Sequence, residues 1–378
     1  MKNTLKPLLT ITASLLALAT CGLAAADSPQ TALTLSPSKK NPRNSEGDFV
    51  TLKDGRILLI YTHFTGGGAD HATAHLTSRI SSDGGKTWTA EDKTVMENDG
   101  EQNIMSVSLL RLQDGRIALF YLRKNSNADC RPVIHFSTDE GQSWSAPTKI
   151  ISDEEVGYYV VNNDRLVQLA DGRLIFPTSQ HNNPNMEKFS PYSTVHCYIS
   201  DDNAKTWRRG KGKQDGTQAD GKRTILQEPG LVELADGRLM MWIRTNGGSQ
   251  FVCHSKDRGE TWSKFEPSSL LSPVSPASIE RLPKTKDLVV VWNDHSKIPE
   301  ELGGKRTPLS IALSKDDGKT WLPSRTLYDL PTGWYCYTAI EFVGDDILLG
   351  HCAGDNAKGG GLNTTKITRV PVEWLYAE

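Results

Sequence analysis

Cysteine is scarce in these 378 residues and never grouped. Cys21 sits in an N-terminal apolar run, and Cys130, Cys197, Cys253, Cys336 and Cys352 are odd in number and widely separated. That spacing excludes a disulfide framework of the kind that staples small exported domains. No C-x-x-C pair occurs, so cysteine offers no zinc site, and neither metal nor cofactor is expected. An excess of one charge sign is also missing. Lys and Arg number 43 against 45 Asp and Glu, a formal charge of −2, with no basic stripe. Nucleic acid and anionic membrane surfaces are thereby excluded as expected partners. Long apolar runs are absent except at the start, where Lys2 and Lys6 precede an apolar stretch from Pro7 to Leu23 and then Ala24-Ala25-Ala26. This is the pattern of a secretory leader over 1–26. It predicts a periplasmic or secreted protein with no transmembrane segment once the leader is removed; lipid attachment at Cys21 is the less favoured alternative. Helical periodicity is missing as well, while 37% hydrophobic and 23% charged residues suit an ordinary globular core.

What is present is a repeat. The octet S-x-D-x-G-x-T-W runs from Ser81 to Trp88, Ser137 to Trp144, Ser200 to Trp207, Ser255 to Trp262 and Ser314 to Trp321. Ser143 replaces Thr in the second copy and Ala204 replaces Gly in the third. The aspartates Asp83, Asp139, Asp202, Asp257 and Asp316 are 56, 63, 55 and 59 residues apart, a period that means repeated supersecondary units. Interleaved with them are Asp54-Gly55-Arg56, Asp114-Gly115-Arg116, Asp171-Gly172-Arg173 and Asp236-Gly237-Arg238, each leading into an apolar run. Asp-Gly between apolar runs marks a β-hairpin. Lys286-Asp287 and Asp345-Asp346 are weaker versions, giving six hairpins to five boxes, and the last unit runs through Thr365 to Leu375 without a box. The pattern predicts an all-β fold, a six-bladed β-propeller with Asp-box repeats over 27–378. The boxes themselves read as scaffold, with Ser and Asp bonding turn backbone, Gly permitting a positive φ and Trp burying between units.

Repeat order also sorts residues by rim. If the Asp-Gly hairpin joins the first two strands of a unit and the box joins the last two, both turns lie on one rim. The opposite rim then collects Arg43, Glu46, His63, Asp70 and His71 from the first unit, and Arg123, Asp129 and Arg131 from the second. It further receives Tyr158, Tyr159 and His181 from the third, Glu228 and Arg244 from the fourth, Asp294, His295 and Arg306 from the fifth, and Tyr335 and Tyr337 from the sixth. Arginines, carboxylates and a tyrosine gathered over an axis suit an anionic ligand.

With these residues in view, the mature chain resembles a sialidase of the Asp-box type. The likeness is most specific from Glu228 to Trp262, where E-x-x-x-V-x-L-x-D-G-x-L is followed by Arg244 and a complete box. The resemblance implies an exo-acting glycoside hydrolase that removes a terminal sialic acid, or a related acidic keto-sugar, by a retaining mechanism. By resemblance Arg43, Arg244 and Arg306 clamp the substrate carboxylate, Asp70 is the acid/base, Tyr337 the nucleophile and Glu228 its base. Tyr335 is the alternative nucleophile. A tyrosine suits this chemistry because the substrate's own carboxylate adjoins the anomeric carbon and would repel an anionic nucleophile. Three features depart from the family pattern. Arg43 lies in Asn41-Pro42-Arg43-Asn44-Ser45-Glu46 rather than F-R-I-P, and His351-Cys352 stand where Tyr-Glu is usual, leaving Glu46 or Asp355 to orient Arg43. His71 stands beside Asp70 and adds a second acid/base candidate. Glu46, His71 and Arg131 complete the expected substrate-binding set. The expected partner is an anionic glycan, and the expected state a monomer. The readings left open are a hydrolase or lyase acting on uronic acid-containing glycans and a non-catalytic carbohydrate-binding propeller.

Overall fold

The computed structural model describes residues 28–182, 189–218 and 220–377; the expected leader over 1–26, with Cys21, lies outside them. The fold is all-β. Among the described residues there are four four-stranded sheets and one of nine strands. The first runs Arg43–Thr51, Ile57–Phe64, Ala74–Ser81 and Lys93–Met96, each antiparallel to the next. Leu226–Glu233 to Glu266–Leu271 and Ser278–Arg281 to Arg325–Tyr328 form two more sheets of the same plan. The nine-stranded sheet arises because Tyr158–Val160 pairs in parallel with Asp129–Ser137, through Tyr158 and Cys130, and antiparallel with Leu174–Asn182. One short strand thus fuses two successive units.

The remaining sheet explains why a box is missing. Gly333–Val343, Asp346–Asp355 and Thr365–Pro371 follow one another, but the outer strand is Gln30–Leu35 from the other end of the chain. No hairpin joins the last two strands, so no box is needed there. In the five boxes the aspartate accepts from the Thr or Ser hydroxyl four residues on, as Asp83 does from Thr87 Oγ1 at 2.6 Å and Asp139 from Ser143 Oγ at 2.6 Å. Each box serine accepts from the backbone N–H of the residue in the Gly position, and Ala204 serves there as well, at 2.9 Å from Ser200 Oγ. Ala204 keeps the left-handed conformation of its glycine counterparts, φ +67° against +88° for Gly259.

Among the described residues, six apolar cores lie between neighbouring sheets or units. One joins Val50, Ile60 and Leu76 to Ile104, Leu119 and Val133; another joins Phe49, Leu59 and Tyr61 to Ala339, Leu348 and Ile367, so the last sheet packs on the first. The box tryptophans pack against these cores, as Trp144, Trp207 and Trp262 do.

Where the first strands converge, Asp48, Asp164 and Glu280 surround Arg165, and Glu341 faces the three carboxyls. Desolvation raises all four carboxyls above their ordinary range, and the charge on Asp164 adds to the rise at Asp48, Glu280 and Glu341. Asp164 is pushed up to about 6, desolvation outweighing Arg165 and the bond from Ile340 N. A raised carboxyl favours the folded state below its ordinary pKa, and that contribution is lost as pH rises through about 6. His196 and His351, which desolvation lowers to about 3 and about 4, work in the opposite direction. Comparing a variant with the parent isolates the carboxyl. Asp164→Asn is expected to raise Tm at about pH 8, with the gain vanishing toward about pH 4, as thermal melts across pH will read.

Candidate active site

One local device builds the site. In four sheets the register between the first two strands slips at the same place: between Ser45 and Asp48, Met105 and Ser108, Gln227 and Gly230, and Cys336 and Ala339. Each slip is a β-bulge, in which two residues face one and the side chain is re-aimed. The bulge residues Glu46, Ser106, Glu228 and Tyr337 have φ of 55°, 61°, 49° and 56°. Non-glycine residues adopt this left-handed region at a cost of about 1 kcal/mol or more, and such strain clusters at functional sites. All four line one cavity of about 360 Å³. Each also stands eight residues before its hairpin aspartate, Asp54, Asp114, Asp236 or Asp345. That offset, readable in the sequence, is the signal that would have found Ser106, which the rim argument missed.

Tyr337 donates from its hydroxyl to Glu228 Oε1 at 3.3 Å, and Arg244 Nη1 donates to Glu228 Oε2 at 2.7 Å. Burial, and then the Glu228 carboxylate, push the phenol well above its ordinary pKa against the opposing pull of Arg306 and Arg244. The pair is therefore a neutral phenol poised on a carboxylate. Asn163 Nδ2 donates to Tyr337 O and Gly47 O, tying the bulges of the first and last sheets together. Tyr335 is elsewhere: it stacks on Tyr328 at 5.5 Å within the core shared by the last two sheets and does not line the cavity.

The three arginines differ in occupancy. Arg306 is 6% exposed, lies 5.1 Å from the Trp334 ring centroid and 5.4 Å from that of Tyr337, and leaves Nε and Nη1 without a hydrogen-bond partner among the described residues. Arg244 Nε is also unpartnered. Arg43, 1% exposed, is paired with Glu46 at 2.8 Å and Asp70 at 2.5 Å and lies behind the cavity wall. Of the two carboxylates the sequence offered for orienting Arg43, Glu46 reaches it, whereas Asp355 caps Ala357 N and pairs with Lys358. Desolvation pushes the Asp70 carboxyl up, but Arg43, then Lys124 and Arg306, outweigh it and hold it below its ordinary value.

Lys124 is a cavity residue that the sequence reading missed. It is 3% exposed, donates to Asp70 O at 3.1 Å and lies 5.1 Å over the Tyr158 ring. Its neighbour Arg123 drew attention instead, yet Arg123 points away to Asp99. Besides Arg43, two expected members of the set do not line the cavity. Arg131 is held by Asp129 at 2.7 Å and Asp153 at 2.8 Å, and His71 is exposed on the loop. His71 and His75 have the His-x-x-x-His spacing, which the sequence reading passed over. His75 stacks on His63 instead, and no group of three or more His, Cys, Asp or Glu that could hold a metal ion occurs among the described residues. His181 does line the cavity, lowered by burial and bound through Nδ1 to Ser190 O at 2.9 Å. His295 bonds the Lys305 and Thr307 carbonyls.

The family model described as a BNR repeat-like domain matches residues 64–349. A sialidase of Bacteroides fragilis (strain YCH46) is 26% identical over 337 residues, 79% of this chain and 58% of that protein. A Paraclostridium sordellii sialidase is 27% identical over 245 residues, 57% of this chain and 56% of that protein. The chain thus spans less than two thirds of the curated relatives it matches. Among solved structures, the NanB sialidase of Streptococcus pneumoniae aligns with a TM-score of 0.69 at 15% identity, covering 93% of this chain and 72% of that one. At that identity the likeness speaks to the fold.

Proposed function

The chain belongs to the BNR repeat-like domain family, and from that premise we propose that it is a sialidase, an exo-acting glycoside hydrolase removing a terminal sialic acid, or a related acidic keto-sugar, with retention of configuration. One observation carries the reading. The Tyr337 hydroxyl rests on Glu228, backed by Arg244, in the same cavity as a buried Arg306 with unpartnered donors. A phenol on a base supplies a nucleophile, and an unpartnered guanidinium supplies a carboxylate receptor.

In this mechanism Arg306 and Arg244, with Arg43, hold the sugar carboxylate. Tyr337 Oη attacks the anomeric carbon as its proton passes to Glu228, and Asp70 gives a proton to the departing glycosidic oxygen. Asp70 then takes a proton from water, the resulting hydroxide equivalent displaces Tyr337, and Glu228 returns the proton to the phenol. Retention follows from two displacements at one carbon.

Six blades are part of the proposal. Six inter-sheet cores, with the last sheet packed on the first and completed by the N-terminal strand, support that count. The nine-stranded sheet is then two blades joined by Tyr158–Val160.

The test is to supply oligosaccharides ending in α-linked sialic acid or in a uronic acid and to measure released sugar. Release of sialic acid is expected; release confined to uronates would replace this reading with the uronate one, and binding without release would make the chain a lectin.

A further inference from the structure

Arg43 is saturated. Its Nε and Nη2 donate to Ser45 Oγ at 3.3 and 3.1 Å, Nη2 also to Glu46 Oε1, and Nη1 to Gly68 O at 3.2 Å and Asp70 Oδ1 at 2.5 Å. A guanidinium has five N–H donors, so none is left for a ligand. Arg306, in the same cavity region, is in the opposite condition, with two nitrogens unpartnered.

The two carboxylates on Arg43 are also unlike. Glu46 is 5% exposed and fixed by Ser45 and Ser106, whose hydroxyl lies 2.5 Å from Oε2. The Asp70 side chain is 63% exposed, and among the described residues its carboxylate accepts a hydrogen bond from Arg43 alone. Its backbone is anchored, since Asn103 Nδ2 and Lys124 Nζ both donate to Asp70 O. Rotation about the side-chain bonds can therefore lift the carboxylate off Arg43 while the loop stays in place.

We propose that Asp70 occupies, in the unliganded protein, the place of the ligand carboxylate on Arg43, and that an incoming sugar carboxylate exchanges with it, freeing Asp70 to take up a proton. The inference rests on the sialidase reading and deepens it. The charged groups facing Asp70 are Arg43, Lys124 and Arg306, which favour its ionised form, and Glu46, which opposes it; Tyr158 adds a neutral ring. A bound carboxylate neutralises Arg43 and Arg306 together, while Glu46 stays. The field on Asp70 then turns toward the protonated state, and the aspartate takes one proton from solvent. Locked on Arg43 as a carboxylate it has no proton to give. The exchange arms the acid only when an anionic sugar is seated, and an uncharged glycoside leaves it unarmed.

Calorimetric titration with free N-acetylneuraminic acid, repeated at about pH 5.5 in buffers of different ionisation enthalpy, reads the proton directly. Uptake approaching one proton per site is expected for the parent protein, none with the methyl ester of the sugar acid, and none for Asp70→Ala. That variant is also expected to bind the acid about tenfold more tightly, because the competing carboxylate no longer masks Arg43. Binding without uptake in the parent, or equal or weaker affinity in Asp70→Ala, would overturn the exchange while leaving the hydrolase reading intact. Failure of both proteins to bind would sink the sialic acid reading and the exchange with it. The parent measurement needs no variant to fold.

Discussion

Tyr337→Phe is expected to lower kcat by about a thousandfold or more while changing the affinity for a carboxylate sugar by about twofold at most. The substitution removes one oxygen. Its hydrogen bond to Glu228 Oε1 is long, at 3.3 Å, and Glu228 keeps Arg244 at 2.7 Å, so no buried charge is orphaned. Stability should therefore move by no more than about 1 kcal/mol. The ring also remains beside Arg306, so the carboxylate receptor is preserved. A rate collapse with intact binding is the signature of an interaction made only in the transition state. Tyr335→Phe is the control: that ring is part of the core between the last two sheets, and its loss of a hydroxyl should leave turnover within a few-fold of the parent. Steady-state rates alongside equilibrium binding separate the two tyrosines, and a rate loss confined to Tyr335→Phe would move the nucleophile.

Arg306→Met should act on activity and stability in opposite directions. Its Nε and Nη1 are buried and without a hydrogen-bond partner among the described residues, so either is available to form a charge-assisted bond to a carboxylate, alongside Nη2. Removing a charge-assisted pair of this kind costs roughly 2–5 kcal/mol, so kcat/KM should fall by about 30-fold to several thousandfold. Desolvation works against this buried charge, while Cys336, Tyr337 and Glu228 work for it. Replacing it with an apolar side chain of similar length should stabilise the unliganded protein by about 1 kcal/mol or more. A raised Tm with collapsed kcat/KM is the expected combination, read by melting curves and initial rates. Arg306→Lys should recover little of the loss, because an ammonium cannot present the planar fork.

The strand and turn plan was legible in the sequence because turns make specific demands on side chains. Asp-Gly hairpins and boxes need an aspartate to accept backbone N–H groups and a residue tolerant of positive φ. Ala204 shows how far that demand bends, since it holds φ +67° and still donates to Ser200. The fused sheet was not legible: one bridge between Tyr158 and Cys130 makes it, and no local pattern marks it. Nor was the origin of the strand that completes the last sheet, which is a pairing between the two ends of the chain.

The site divides in the same way. Glu228, Arg244, Arg306 and Tyr337 line one cavity on the rim that the repeat order assigns them, because strand ends and bulges are set by local spacing. The pairing of Arg43 with Asp70, 27 residues on, depends on how a loop folds back, and spacing carries no information about it. Arg123, Lys124 and Arg131 were indistinguishable by position on the rim. What separates them is side-chain direction, with Lys124 turned inward over Tyr158 and both arginines captured by neighbouring aspartates.

The central claim is that Tyr337 forms a bond to the anomeric carbon of an acidic keto-sugar. Treating the protein with an activated 3-fluoro derivative of such a sugar, which forms the glycosyl-enzyme faster than water removes it, and mapping the adduct by peptide mass spectrometry tests this directly. The expected result is one sugar per chain, on the peptide containing Tyr337 and at the tyrosine oxygen. An adduct on another residue, or turnover with inversion and no adduct at all, would contradict the account.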